Sequence, residues 1–260
     1  MGMASNLPTF YFLFSIIVYC VSQATKFEIT NQCSYTVWAA SVWTVSIPGG
    51  GKQLKPGETW VINVTNSTSG RIWGRTNCTF DASGNGSCET GGCNNKFDCK
   101  EDKAVSPVTL TEFSVNGLSN LDFYDLSLLH GFNIPMEISP KNVSCRAVKC
   151  AADIEGECPV ELRTTGGCNH PCTVFKTDLF CCSTGNCTAT YLSDFFKTKC
   201  PDAYSFALDA NSTTFTCPSG SNYRVLFCPL VSSPSPVSPP PPPDASLPHM
   251  CIRMINVQYY

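Results

Sequence analysis

Eighteen cysteines in 260 residues constrain the fold of this chain more than any other feature. That density calls for a disulfide framework, and such frameworks persist in oxidising compartments. Cys20 falls in an apolar N-terminal stretch and Cys251 in a proline-rich tail, while the sixteen cysteines from Cys33 to Cys228 form an even set, as full pairing requires. Spacing alone does not choose among the possible pairings. Zinc held by the clustered cysteines is a poor alternative in a secreted chain. A Cys172–His170 nucleophile pair is no better, because a bridged sulfur has no thiolate to offer.

The N-terminus agrees with an oxidising destination. Residues 1–24 carry no charged side chain, and residues 7–21 form an apolar core too short to span a bilayer comfortably. Small residues at Ser22 and Ala24 then predict a signal peptide over residues 1–24, cut after Ala24. Seven Asn-x-Ser/Thr sequons follow, at Asn63, Asn66, Asn77, Asn85, Asn142, Asn186 and Asn211. Asn77 and Asn186 each precede a cysteine whose bridge would hinder a glycosyltransferase, which leaves Asn63, Asn66, Asn85, Asn142 and Asn211 as glycosylation candidates.

Only 14% of the residues are charged, and 18 glycines and 19 prolines favour turns and short strands over long helices. A net charge of −3 with no basic stripe gives no case for nucleic acid. Residues 27–64 read as short β-branched and aromatic strands separated by Gly/Pro turns, the spacing of a sandwich or barrel. Residues 78–99, rich in Cys, Gly and Asn, have little to bury and read as stapled loop. Short helices are expected near Asn169 and Ser193, each a candidate N-cap. Residues 232–243 form a polyproline-II spacer, so residues 231–260 are expected to be a disordered extension of a domain over residues 25–230.

One stretch, LDFYDLSLLHGFNIPM, sets Asp122, Asp125 and His130 in apolar surroundings, where each needs water or a partner. A spacing of five puts Asp125 and His130 on opposite faces of an unbroken strand, so both can face one cleft only if a bulge or turn intervenes. Phe113, Phe123, Tyr124 and Phe132 are more readily read as core than as sugar platforms.

The segments FEITNQCSYTVWAAS, GRIWGRTNC, LDFYDLSLLHGFNIPM, CAADIEGECPVELR, CCSTGNC, CPDAYSFALD and SNYRVLFCP resemble the thaumatin-like proteins, a pathogenesis-related plant defence family. The resemblance implies a mainly β fold: a flattened sandwich, a disulfide-rich lobe with short helices, and a small loop lobe. It implies the pairs Cys33–Cys228, Cys78–Cys88, Cys93–Cys99, Cys145–Cys217, Cys150–Cys200, Cys158–Cys168, Cys172–Cys181 and Cys182–Cys187. One family signature is degraded, since GNGSCETGGCNN has Gly92 where relatives carry aspartate, and Asn94 and Asn95 where they carry glycine.

Carried over by position, the resemblance implies an acidic substrate-binding cleft formed by Arg71, Glu112, Asp125, His130 and Asp209, with His130 standing where an acid is usual. The function implied is that of a secreted, apoplastic, antifungal plant protein, monomeric, binding fungal cell-wall polysaccharide, β-1,3-glucan above all, or other fungal wall and membrane components. The alternatives are a weak endo-β-1,3-glucanase with Glu112 and Asp125 as its catalytic pair, and a non-catalytic stress or inhibitor protein. No cofactor and no metal are expected. His130, beside Glu112 and Asp125, is expected to have a raised pKa and to become cationic at mildly acid pH.

Overall fold

The computed structural model describes residues 24–45, 50–64, 68–100, 103–209 and 213–230. The signal peptide, the proline-rich extension and Cys251, Asn66 and Asn211 lie outside these residues.

Alternating apolar residues build two facing sheets. The first has the order β11 (Val148–Cys150), β10 (Met136–Pro140), β16 (Tyr223–Phe227), β1 (Thr25–Asn31) and β4 (Thr59–Val64). β1 and β16 run parallel, with Phe27 beside Tyr223, so the first and last strands lie together. Just past their ends, the Cys33–Cys228 bridge closes a sequence separation of 195 residues.

The second sheet runs β14 (Ala203–Tyr204), β9 (Leu121–Ser127), β8 (Leu110–Val115), β5 (Thr68–Arg75), β2 (Val37–Trp43) and β3 (Gly51–Leu54), with β15 (Phe215–Pro218) also pairing β9. Between the sheets Phe27 stacks 5.1 Å from Tyr223 and meets Phe113 at 4.4 Å and Trp43 edge-on at 5.4 Å. Aromatic pairs at these separations add to what their buried area already contributes.

The outer face of the second sheet is divided in two. On β5, Arg71 is exposed, whereas Trp73 and Arg75 on the same face are fully buried. They lie under a small lobe that contains the hairpin β6 (Thr79–Phe80) and β7 (Gly86–Ser87) and is stapled by Cys78–Cys88 and Cys93–Cys99. Trp73 joins Ala40, Leu110, Val108, Cys93 and Cys99 in a second, smaller core. Among the described residues no carboxylate forms an ion pair with Arg75, and Asp98 acts on it only at longer range. The Arg75 guanidinium donates to four main-chain carbonyls, of Trp38 (3.0 Å), Ala39 (3.3 Å), Lys96 (2.9 Å) and Phe97 (2.9 Å). Its central carbon lies 5.3 and 5.6 Å from the rings of Phe80 and Phe97. Burial brings its pKa down to about 10, still well above neutrality, so the cation persists.

The degraded signature finds its reason here: Asn94 and Asn95 have φ of 44° and 57°. Asparagine tolerates the left-handed region, so the turn survives without glycine.

The disulfide-rich lobe holds β12 (Arg163–Thr164), β13 (Gly167–Cys168) and the short helices α1 (Ile154–Glu157), α2 (Pro171–Phe175), α3 (Asp178–Cys181) and α4 (Tyr191–Lys199). Five bridges tie it and its neighbours: Cys145–Cys217, Cys150–Cys200, Cys158–Cys168, Cys172–Cys181 and Cys182–Cys187. The helix starts differ from those expected. α2 is capped by His170, not Asn169, through a 3.1 Å bond from the Cys172 N–H to Nδ1. Because Nδ1 accepts, Nε2 carries the proton and donates to the Ser205 carbonyl at 3.1 Å. α4 starts at Thr190, whose side chain forms a reciprocal capping box with Ser193.

Candidate functional site

The uncovered end of the second sheet is an open cavity of about 650 Å³. It grows from register: Val42 on β2 faces Arg71, Arg71 faces Glu112 on β8, and Glu112 faces Asp125 on β9. The next row along the outer face places Ser69, Ser114 and Phe123 side by side. Trp43, Phe113, Leu129, Tyr204 and Lys100 complete much of the wall.

Arg71 and Glu112 form an ion pair, Nε to Oε1 at 2.6 Å, with both side chains partly exposed. Asp125 is different. Its Oδ1 is buried and has no hydrogen-bond partner among the described residues. Burial and the neighbouring Glu112 charge push its pKa up to about 8, against the smaller opposing pull of Arg71. At neutral pH the cavity therefore holds a protonated Asp125 carboxyl beside the Arg71–Glu112 ion pair, with Lys100 also on its wall.

The raised Asp125 pKa carries a stability consequence. The folded group keeps its proton to about pH 8, whereas the unfolded group loses it near 3.8. Folding then takes up a proton between those values, and this contribution to stability falls as pH rises through the window. An Asp125→Asn variant, which mimics the neutral acid, should match the wild type near about pH 4 and exceed it by on the order of 5 kcal/mol near pH 8, about 1.4 kcal/mol for each pH unit of that window. Urea denaturation at both pH values measures this, and equal gains at the two would show that proton uptake is not the cause.

His130 departs from expectation in two ways. β9 ends at Ser127, and a turn closed by the Gly131 N–H on the Leu128 carbonyl at 2.9 Å follows. Gly131 has φ of 88°, and a Cβ there would stand 2.4 Å from the Cys168 carbonyl oxygen. Among the described residues it is Leu129, not His130, that lines the cavity, and the His130 Nδ1 is buried without a partner. Its pKa is lowered, not raised: burial outweighs the attraction of Glu112, and Arg71 and Lys103 repel the proton further. His130 therefore gains its proton less readily than a free imidazole does.

Asp209 is also absent from the cavity wall. It is buried, and its Oδ2 accepts from Lys197 Nζ on α4 and from the Ser205 N–H and hydroxyl, each at 3.0 Å. These local partners turn the carboxylate into its own loop. Asp122 points into the core and is fully buried. Sequence reasoning missed Lys100, Trp43, Ser69, Ser114 and Tyr204 as wall residues. The pairing of β5, β8 and β9 brings Ser69 and Ser114 together, and no local pattern reports that register.

Residues 31–229 match the Thaumatin family. A thaumatin-like protein of Actinidia deliciosa is 51% identical over 219 residues, covering 84% of this chain and 95% of that protein. A pathogenesis-related thaumatin-like protein of Cryptomeria japonica is 51% identical over 211 residues, covering 79% of this chain and 89% of its own length. Among solved structures, a thaumatin-like xylanase inhibitor superposes with a TM-score of 0.49 at 26% identity, over 78% of this chain and 99% of that one. With the family matched across all eight bridges, and relatives half identical along most of its length, the chain belongs to the thaumatin family.

Proposed function

We propose that this chain is a secreted plant defence protein that binds β-1,3-glucan of fungal cell walls in the cavity beside Arg71, its antifungal action following from that binding. The observation that carries the reading is the composition of the cavity wall. Trp43, Phe123 and Tyr204 offer partly exposed rings, while Thr44, Ser69 and Ser114 offer hydroxyls, beside the Arg71–Glu112 pair and the Asp125 carboxyl. Sugar rings present C–H faces to aromatic groups and hydroxyls to polar ones, which suits a concave site of this mixed kind. A neutral glucan does not require an acidic cleft, and the cations Arg71 and Lys100 balance Glu112 here. The family and the pathogenesis-related name of the Cryptomeria relative support a defence role.

Weak hydrolysis of the same glucan is the second reading, favoured by the contrast between the two carboxyls. Asp125, protonated, suits a general acid; Glu112, ion-paired with Arg71, suits a nucleophile or base. Directly opposed residues have Cβ atoms about 4.5–5.5 Å apart, and retaining glycosidases set their carboxyls about 5–5.5 Å apart.

Sedimentation with insoluble β-1,3-glucan tests binding. Phe123→Ala should weaken it roughly tenfold, an effect of the size expected for one stacking aromatic. Unchanged retention of both Phe123→Ala and Arg71→Ala would place binding elsewhere. Release of reducing sugar tests hydrolysis, and turnover that survives both Glu112→Gln and Asp125→Asn would remove the catalytic assignment.

A further inference from the structure

Five sequons have their asparagine among the described residues, and the fold treats them differently. Asn63 lies within β4, paired with Lys26. The Asn77 amide nitrogen donates to Glu89 at 2.7 Å, next to the Cys78–Cys88 bridge. Asn85 is held at both ends, its Nδ2 3.5 Å from Asp81 and its Oδ1 accepting from Lys96 at 2.5 Å. Asn186 sits inside the tight Cys182–Cys187 loop, directly before the bridged sulfur.

Asn142 has none of these restraints. It follows β10 in a turn whose Cys145 N–H donates to the Asn142 carbonyl at 3.0 Å. The Ser144 hydroxyl and backbone N–H both donate to Asn142 Oδ1, at 2.8 and 3.2 Å. Two donors on one atom identify it as the oxygen, so the amide nitrogen is the end turned away from the turn. Asn142 and Ser144 are exposed, and Val143 between them is fully exposed at 100%. The hydrogen bonds within this turn all come from residues 142–145, so they can form in a chain still folding, before the Cys145–Cys217 bridge anchors the far end.

We infer that Asn142 is the acceptor this fold presents for an N-linked glycan, an inference that rests on the secretory route proposed above. The donor is an oligosaccharide on a lipid diphosphate. The Asn142 Nδ2 bonds to the anomeric carbon, the bond from that carbon to the diphosphate oxygen breaks, the electron pair leaves with the lipid diphosphate, and the amide nitrogen gives up one proton. β10 belongs to the five-stranded sheet, whereas the cavity opens on the outer face of the other sheet, so a glycan at Asn142 leaves the cavity free.

The test is to express the full chain in a eukaryotic secretory host and map peptides of the protein recovered from the medium. A peptide N-glycosidase converts each glycan-bearing asparagine to aspartate. The expected result is conversion at Asn142 and none at Asn77 or Asn186, with loss of one glycan mass in Asn142→Gln and in Ser144→Ala, and unchanged glucan retention by both variants. Secreted protein with Asn142 unmodified overturns the inference and leaves the secretory reading intact. A chain found only inside the cells overturns both.

Discussion

Removing the Cys33–Cys228 bridge by paired substitution to serine should cost about 5 kcal/mol of unfolding free energy, the value that chain entropy assigns to a loop of this length. The bridge closes a separation of 195 residues, whereas Cys182–Cys187 closes only 5. The same treatment of the short loop should cost about 2 kcal/mol. Denaturant titration under non-reducing conditions, with the other seven bridges intact, measures both. Equal losses would show that the long bridge does not act by restricting the unfolded chain. A greater loss than expected would locate part of the effect in the folded state, where the bridge pins the parallel edges of β1 and β16 together.

The second large effect is expected at Asp122. Its side chain is fully buried between the sheets, where an isolated carboxylate would be costly. Three donors satisfy it: the Asn116 N–H at 2.8 Å, the Ser219 hydroxyl at 3.1 Å and the Tyr223 hydroxyl at 2.8 Å. Tyr223 lies on β16 and Asp122 on β9, so this network stitches one sheet to the other. Burial and the adjacent Asp122 drive the Tyr223 pKa well above its ordinary value, so it remains a hydroxyl that can donate. Asp122→Ala should therefore lose about 3–5 kcal/mol, since it leaves the buried Tyr223 hydroxyl and two partly buried donors without an acceptor. Combining it with Tyr223→Phe should cost less than the sum of the two single changes, because the second removes one of the orphaned donors. Strict additivity in that cycle would mean that the two groups do not depend on each other.

How far this was legible from the chain varies with the distance of the partners. The alternation of LDFYDLS places Asp125 and Phe123 on one face of β9 and Tyr124 and Leu126 on the other, as strand periodicity requires. That same periodicity sends Asp122 inward with Tyr124. What the local pattern lacked was the two hydroxyl partners, about a hundred residues away on β16 and the turn before it. His130 shows a different limit. A turn is the condition for its reaching the cleft, and a turn is present, but it delivers Leu129 to the cavity and buries the His130 Nδ1. Neighbouring carboxylates suggested a raised pKa, and only the depth of burial, which a sequence does not state, reverses the direction. Asp209 matched by position, yet the Lys197 that claims it is set by how α4 docks.

The main-chain clamp made by Arg75 has a consequence for variation. Side chains can be exchanged by mutation, but the carbonyls of Trp38, Ala39, Lys96 and Phe97 are present whatever residues occupy those positions. A lobe moored in this way is indifferent to most of its own sequence, provided its bridges and left-handed turns remain. It can accept Asn94 and Asn95 without drifting from its place on the sheet. Lys100 stands just beyond the Cys93–Cys99 bridge and on the cavity rim. Arg75 thus serves as a fixed mount for an exchangeable part, letting the rim of the cavity be re-tooled while the sandwich beneath is left alone.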